Sequence, residues 1–140
     1  MNIKLLLRIY AGLMAFFTLG ALFSAESMME SFGMSYTTEA GIILQFAMLG
    51  QVIFIVLTLQ IINWLGDDLH KVGTTYAGLS VLPVLVNSYQ VFTGLVPMTN
   101  AFYVEQVIWI AFAALFFVYS KENSVSVSYT HLTLPTILLV

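Results

Sequence analysis

Apolar residues gather into four runs, at 5–23, 40–62, 74–96 and 101–119, separated by short polar stretches. A bilayer core of about 30 Å takes about 20 residues of helix at roughly 1.5 Å each, so every run predicts a membrane-spanning helix. The second and third runs hold no charged residue, the first holds only Arg8 and the fourth only Glu105. Between the first two runs the period changes. Ala25, Met28, Met29 and Phe32 fall at i, i+3, i+4 and i+7, opposite Glu26, Ser27, Glu30 and Ser31, which is one amphipathic helical stripe. With Ser24 as N-cap and Gly33 just past the end, the pattern predicts a short helix over 24–33 lying in the outer membrane interface. The connections at 63–73 and 97–100 are short, which makes runs two and three, and three and four, antiparallel neighbours. The expected fold is an all-α membrane protein, four transmembrane helices in an up-and-down bundle.

Composition agrees with that pattern. Of 140 residues, 60% are hydrophobic and 8% charged, against about 25% charged in an ordinary soluble domain. Cysteine is absent, which removes disulfides and thiol chemistry, and four Lys and Arg at a net charge of −3 make no basic patch for nucleic acid. Those four cations, Lys4, Arg8, Lys71 and Lys121, all fall on one side of a four-span bundle, whereas the stretch 24–39 carries Glu26, Glu30 and Glu39 and 97–100 no charge. Basic loops stay in the cytoplasm, so both termini are expected there. A cleaved leader is the competing reading of the first run. It is the poorer one, since a cut after Ala25 places bulky Phe23 three residues before the scissile bond.

Small residues at Ala11, Gly12, Ala15 and Gly20, and at Ala111, Ala113 and Ala114, are expected to let helices approach closely in lipid. Pro83 is expected to kink its helix or free a carbonyl. Counting from each run's midpoint places Gln45, Asn87, Gln90, Glu105 and Gln106 roughly 5 to 10 Å toward the outer face. These five form the candidate ligand or proton site, a polar layer centred on Glu105. Arg8 lies about 16 Å away from Glu105 along the bundle axis, too far for an ion pair. An intramembrane carboxyl is a proton-site candidate by default, although one only four residues into its run can also snorkel to the interface. No catalytic constellation is present, and no cofactor is expected. His70 stands alone beside Asp67 and Asp68, which are read as caps of the turn before the third run. Met28, Met29 and Met34 suit soft metals, but without Cys or a nearby His no metal site is expected.

Residues 127–136 read VSYTHLTLPT. This string is similar to the in-frame translation of a transposase sequencing adapter, and 127–140 are read as adapter-derived. That reading leaves one membrane domain at 1–126 and gives His131 no functional weight.

Arg8-Ile9-Tyr10-Ala11-Gly12, Gly20, Ser24-Ala25-Glu26-Ser27-Met28-Met29 and Phe32-Gly33-Met34 together resemble small bacterial DoxX-like four-helix membrane proteins. The likeness covers residues 1–62, with Ala25 where that group commonly has proline. It implies a four-helix architecture in the bacterial inner membrane and brings no catalytic residue. Small multidrug-resistance transporters depend on a glutamate in their first span, which this chain lacks. Two roles therefore compete, an accessory or small hydrophobic-ligand-binding protein and a proton-coupled small-solute transporter using Glu105. Enzymatic activity is the lesser expectation, and the partners expected are the lipid bilayer and a second copy or a membrane partner subunit.

Overall fold

A computed structural model describes residues 2–126, all of it helices and their connections, with no strand among the described residues. The segment 127–140, read above as adapter-derived, lies outside the described residues. Helix α1 (Ile3–Phe23) starts at Asn2, whose side-chain oxygen accepts the Leu5 N–H at 2.9 Å. A short helix, α2 (Ala25–Ser31), follows after the single residue Ser24. Ser24 makes no side-chain capping bond; the helix is bounded instead at its other end. Gly33, at φ +74°, donates to the Glu30 carbonyl at 2.8 Å while Met34 donates to that of Met29 at 3.0 Å, the paired bonds that close a helix on a left-handed residue.

Helix α3 (Thr38–Leu65) begins under Thr37, whose hydroxyl accepts the Ala40 N–H at 3.2 Å. In its first turn the exposed Glu39 carboxyl is held below the usual range by its own backbone N–H and then by the Thr37 hydroxyl. The chain turns at Gly66, φ +50°, through a 3₁₀ turn (Gly66–Leu69) into α4 (His70–Phe92). There Asp68 pairs with Lys71 at 3.0 Å, both well exposed, and no side chain caps α4, so Asp68 serves as an ion-pair partner and not as the expected cap. Helix α4 ends on the same glycine device as α2: Gly94, at φ +74°, donates to Val91 and Leu95 donates to Gln90. The third apolar run spans 74–96, but the helix starts at His70 and stops at Phe92 because a left-handed residue, not loss of apolarity, ends it. Helix α5 (Asn100–Ser126) continues past the end of the fourth apolar run.

Helices α1, α3 and the Asn100–Lys121 part of α5 are long and apolar enough to cross a membrane. Helix α4, diluted by Thr74, Thr75, Ser80, Asn87, Ser88 and Gln90, is less apolar. The surface is that of a membrane protein. On α3 only Gly41, Thr58 and Ile62 are buried, while Ile43, Phe46 and Trp64 are each about two-thirds exposed or more, an arrangement that water would penalise and hydrocarbon accepts.

Helix α4 lies along α5, α1 lies along α3, and α1 also touches α5. Helices meet closely at Gly73, where a Cβ would stand 3.1 Å from the Ser120 backbone and against Ile3. Gly12 and Gly20 face open space, so the close contact expected of the first run's glycines occurs on α4 instead. Pro83 sits inside α4 without ending it, withholding an N–H from the Leu79 carbonyl. At this end of the molecule the core is solid. Tyr10 is its hub, with edge-on contacts to Phe54, Tyr76, Trp109, Phe112 and Phe116 at 5.0 to 6.1 Å between centroids. Tyr76 joins α4 to α3 by donating a hydrogen bond from its hydroxyl to Thr58 at 2.8 Å, and the Thr58 hydroxyl in turn donates to the Phe54 carbonyl at 2.8 Å.

Candidate functional site

Beyond Tyr10, toward the α2 end, the packing opens into an open-sided cavity of about 550 Å³ between α1, α2, α3 and α5, with Phe16, Gly20, Ala47 and Val104 of its lining exposed. The cause is visible in the residues. Gly20, Ala21, Ala47 and Ala101 stand where larger side chains would fill the space, and no residue crosses it to replace them. Phe16, Phe17, Met28, Phe32, Leu44, Met48 and Ile108 supply an apolar wall. Trp109 forms the floor, its ring 6.0 Å from Tyr10.

Polar groups in this wall are few and mostly occupied. Thr18 and Ser31 bond carbonyls of their own helices at 2.8 and 2.7 Å, and the Gln51 amide contacts the Met14 sulfur at 3.0 Å. Glu105 differs from them. Its Oε1 accepts the Trp109 indole N–H at 3.2 Å, one turn away on α5, and a carboxylate has capacity for several further donors. Glu105 is half-buried and, among the described residues, is the only ionisable side chain lining this cavity.

A second cavity, about 180 Å³, adjoins the first and shares Met28, Phe32, Leu44 and Glu105 with it. Asn87 and Gln90 of α4 line it, together with Met29, Met34, Val96 and Phe102. Asn87 Nδ2 is buried without an acceptor. Glu105 therefore stands at the junction of a large apolar chamber and a small chamber carrying two amides, and among the described residues it is the only ionisable one of both.

The structure brings together three of the five residues of the expected polar layer, Asn87, Gln90 and Glu105. Gln45 is exposed on the outside of α3 and lines neither cavity. Gln106 is 8% exposed but also lines neither, and both of its amide atoms lack partners. Counting residues along a helix fixes height in the membrane and leaves the direction around the axis open, which is why two of the five fall elsewhere. No ion pair joins Arg8, exposed at the other end of α1, to Glu105. Trp109 is the site residue that depth counting missed. Its signal was present, since Glu105 and Trp109 are four apart and share a helix face.

Helix α2 forms one side of both chambers. Its half-buried residues are Ala25, Met28, Met29 and Phe32, and its exposed ones Glu26, Ser27, Glu30 and Ser31. Met28 and Phe32 reach both chambers. The Gly33 turn holds the helix in place because it abuts Pro97 and Thr99 in the connection from α4 to α5.

Comparison with protein-family models, curated proteins and solved structures finds no match to the chain.

Proposed function

We propose that this chain is a four-span protein of the bacterial inner membrane, DoxX-like in architecture, that binds a small amphiphile in its outer half without transforming it. The observation that carries this reading is the 550 Å³ cavity with one carboxyl in a largely apolar wall. Ligand pockets commonly measure about 300 to 1,000 Å³, apolar with a few placed polar groups that fix orientation. Helix α4 is the fourth span on this reading. Its 23 residues reach about 35 Å, and within it Tyr76 bonds Thr58 of α3, Ser80 bonds the Tyr76 carbonyl, and Asn87 and Gln90 line the second chamber. The one-sided placement of Lys4, Arg8, Lys71 and Lys121 supports cytoplasmic termini, which puts α2 and both chambers toward the outside.

The test is native mass spectrometry of the full chain released from detergent, wild type beside Glu105→Gln. A retained adduct of defined mass on the wild type, depleted in the variant, is the expected result. A wild type that emerges bare at every activation energy, after growth in membranes that supply lipid, contradicts the reading.

A further inference from the structure

The charge distribution around the two chambers carries the reading one step further, to the chemical class of the head group, and this step rests on the binding reading above. Every Lys and Arg of residues 2–126 lies at 4, 8, 71 or 121, and neither 24–69 nor 72–120 contains a Lys, Arg or His. No lining residue of either chamber is cationic. Among the described residues, therefore, no cationic side chain at this end of the molecule neutralises an anionic head group. The charges that are here have the opposite sign: Glu105 within, and exposed Glu26 and Glu30 on α2, whose Met28 and Phe32 wall both chambers. Glu26 and Glu30 lie on the face of α2 turned away from the chambers, and their negative charge raises the local concentration of cations at this end of the molecule.

Inside, Glu105 holds one indole hydrogen bond and is open to more. Trp109, Phe16, Phe17 and Phe32 line the same chamber, and aromatic faces attract ammonium groups, more strongly when water is excluded. The amides of Asn87 and Gln90 serve donors and acceptors alike, which leaves the carboxyl to decide the sign of charge. We infer that the site takes a single-chain lipophilic amine, its ammonium on Glu105 at the junction of the chambers and its chain in the larger one.

The test uses the full chain in neutral phosphatidylcholine nanodiscs, with Trp64→Phe as background. Trp64 is exposed at the far end of α3, so its removal leaves Trp109 as the only indole and a reporter inside the site. Dodecylamine, dodecanol and dodecanoic acid are titrated in parallel, on this protein and on its Glu105→Gln and Glu105→Asp variants. Saturable quenching is expected with the amine, weakened about tenfold or more by Glu105→Gln through loss of a charge-assisted bond. Glu105→Asp, which keeps the charge, should retain the preference for amine, and this separates lost recognition from lost folding. Saturable binding of the alcohol or acid as tight as that of the amine, or indifference to Glu105→Gln, overturns the amine assignment and leaves the cavity reading standing. Absence of a saturable response to all three overturns both.

Discussion

Single residues set the two properties that matter most, where the chain turns and where it stays empty. Gly33 combines φ +74° with a Pro97 ring in the place of a Cβ, so Gly33→Ala pays for strain and for a clash together. A loss of about 1 to 3 kcal/mol is expected, read as a lower thermal midpoint in detergent. Gly78 has nothing within 4 Å of its Cβ position and lies inside α4; Gly78→Ala should leave that midpoint unchanged or raise it, in keeping with helix propensity. Tyr76→Phe removes the hydroxyl that Thr58 accepts, while Thr58 keeps its bond to Phe54. Its cost should be about 0.5 to 1.5 kcal/mol, by the same measurement. The glycines illustrate what the sequence leaves open. Gly12 and Gly20 are small residues suited to close helix approach, yet both look onto open space, and the helix-to-helix contact that does crowd a glycine is at Gly73 on α4. Which glycine meets a neighbour depends on helix rotation, which residue type alone does not specify.

At the scale of elements, apolarity marks the helices and capping sets their ends. Stripe and length place α1, α2, α3 and the start of α5 within three residues, because burial of apolar surface and hydrogen-bonded backbone are what those helices require, while α5 runs seven residues past its apolar run. Helix α4 shows the limit. Its apolar run continues to Val96, but Gly94 closes it at Phe92, and its start at His70 precedes the apolar stretch. The pairing of helices follows from similarly local causes. Gly73 brings α4 against Ser120 of α5 and Ile3 of α1, so Gly73→Val should force these helices apart. A loss of about 1 to 3 kcal/mol is expected, since a packed contact does not absorb added methyls. The candidate site was legible as a layer centred on Glu105. Its membership needed azimuth as well as height, which excludes Gln45 and Gln106 and brings in Trp109.

The whole molecule divides into a solid half around Tyr10 and a hollow half beside α2. Cations divide along the same line: Lys4, Arg8, Lys71 and Lys121 fall at the solid end together with Asp67, Asp68 and Glu122, while Glu26, Glu30, Glu39 and Glu105 at the other end have no cation beside them in the sequence. Natural absence of cysteine makes the orientation simple to test. Single cysteines at Ser35, between α2 and α3, and at Asp68, between α3 and α4, should label oppositely with an impermeant maleimide on intact spheroplasts: Ser35→Cys reactive, Asp68→Cys protected. The reverse pattern inverts the orientation, and labelling of both contradicts α3 as a complete span.

The central claim is that the space beside Gly20 is a binding chamber, and two glycines on one helix test it directly. Gly20 and Gly12 both lie on α1, both are exposed and neither has an atom within 4 Å of a built Cβ, but only Gly20 lines the cavity. Binding of dodecylamine, read by Trp109 quenching in the Trp64→Phe background, is compared in Gly20→Leu and Gly12→Leu at matched thermal stability. Loss of saturable binding in Gly20→Leu with binding intact in Gly12→Leu is the predicted result; equal binding in both would mean that the amphiphile sits elsewhere.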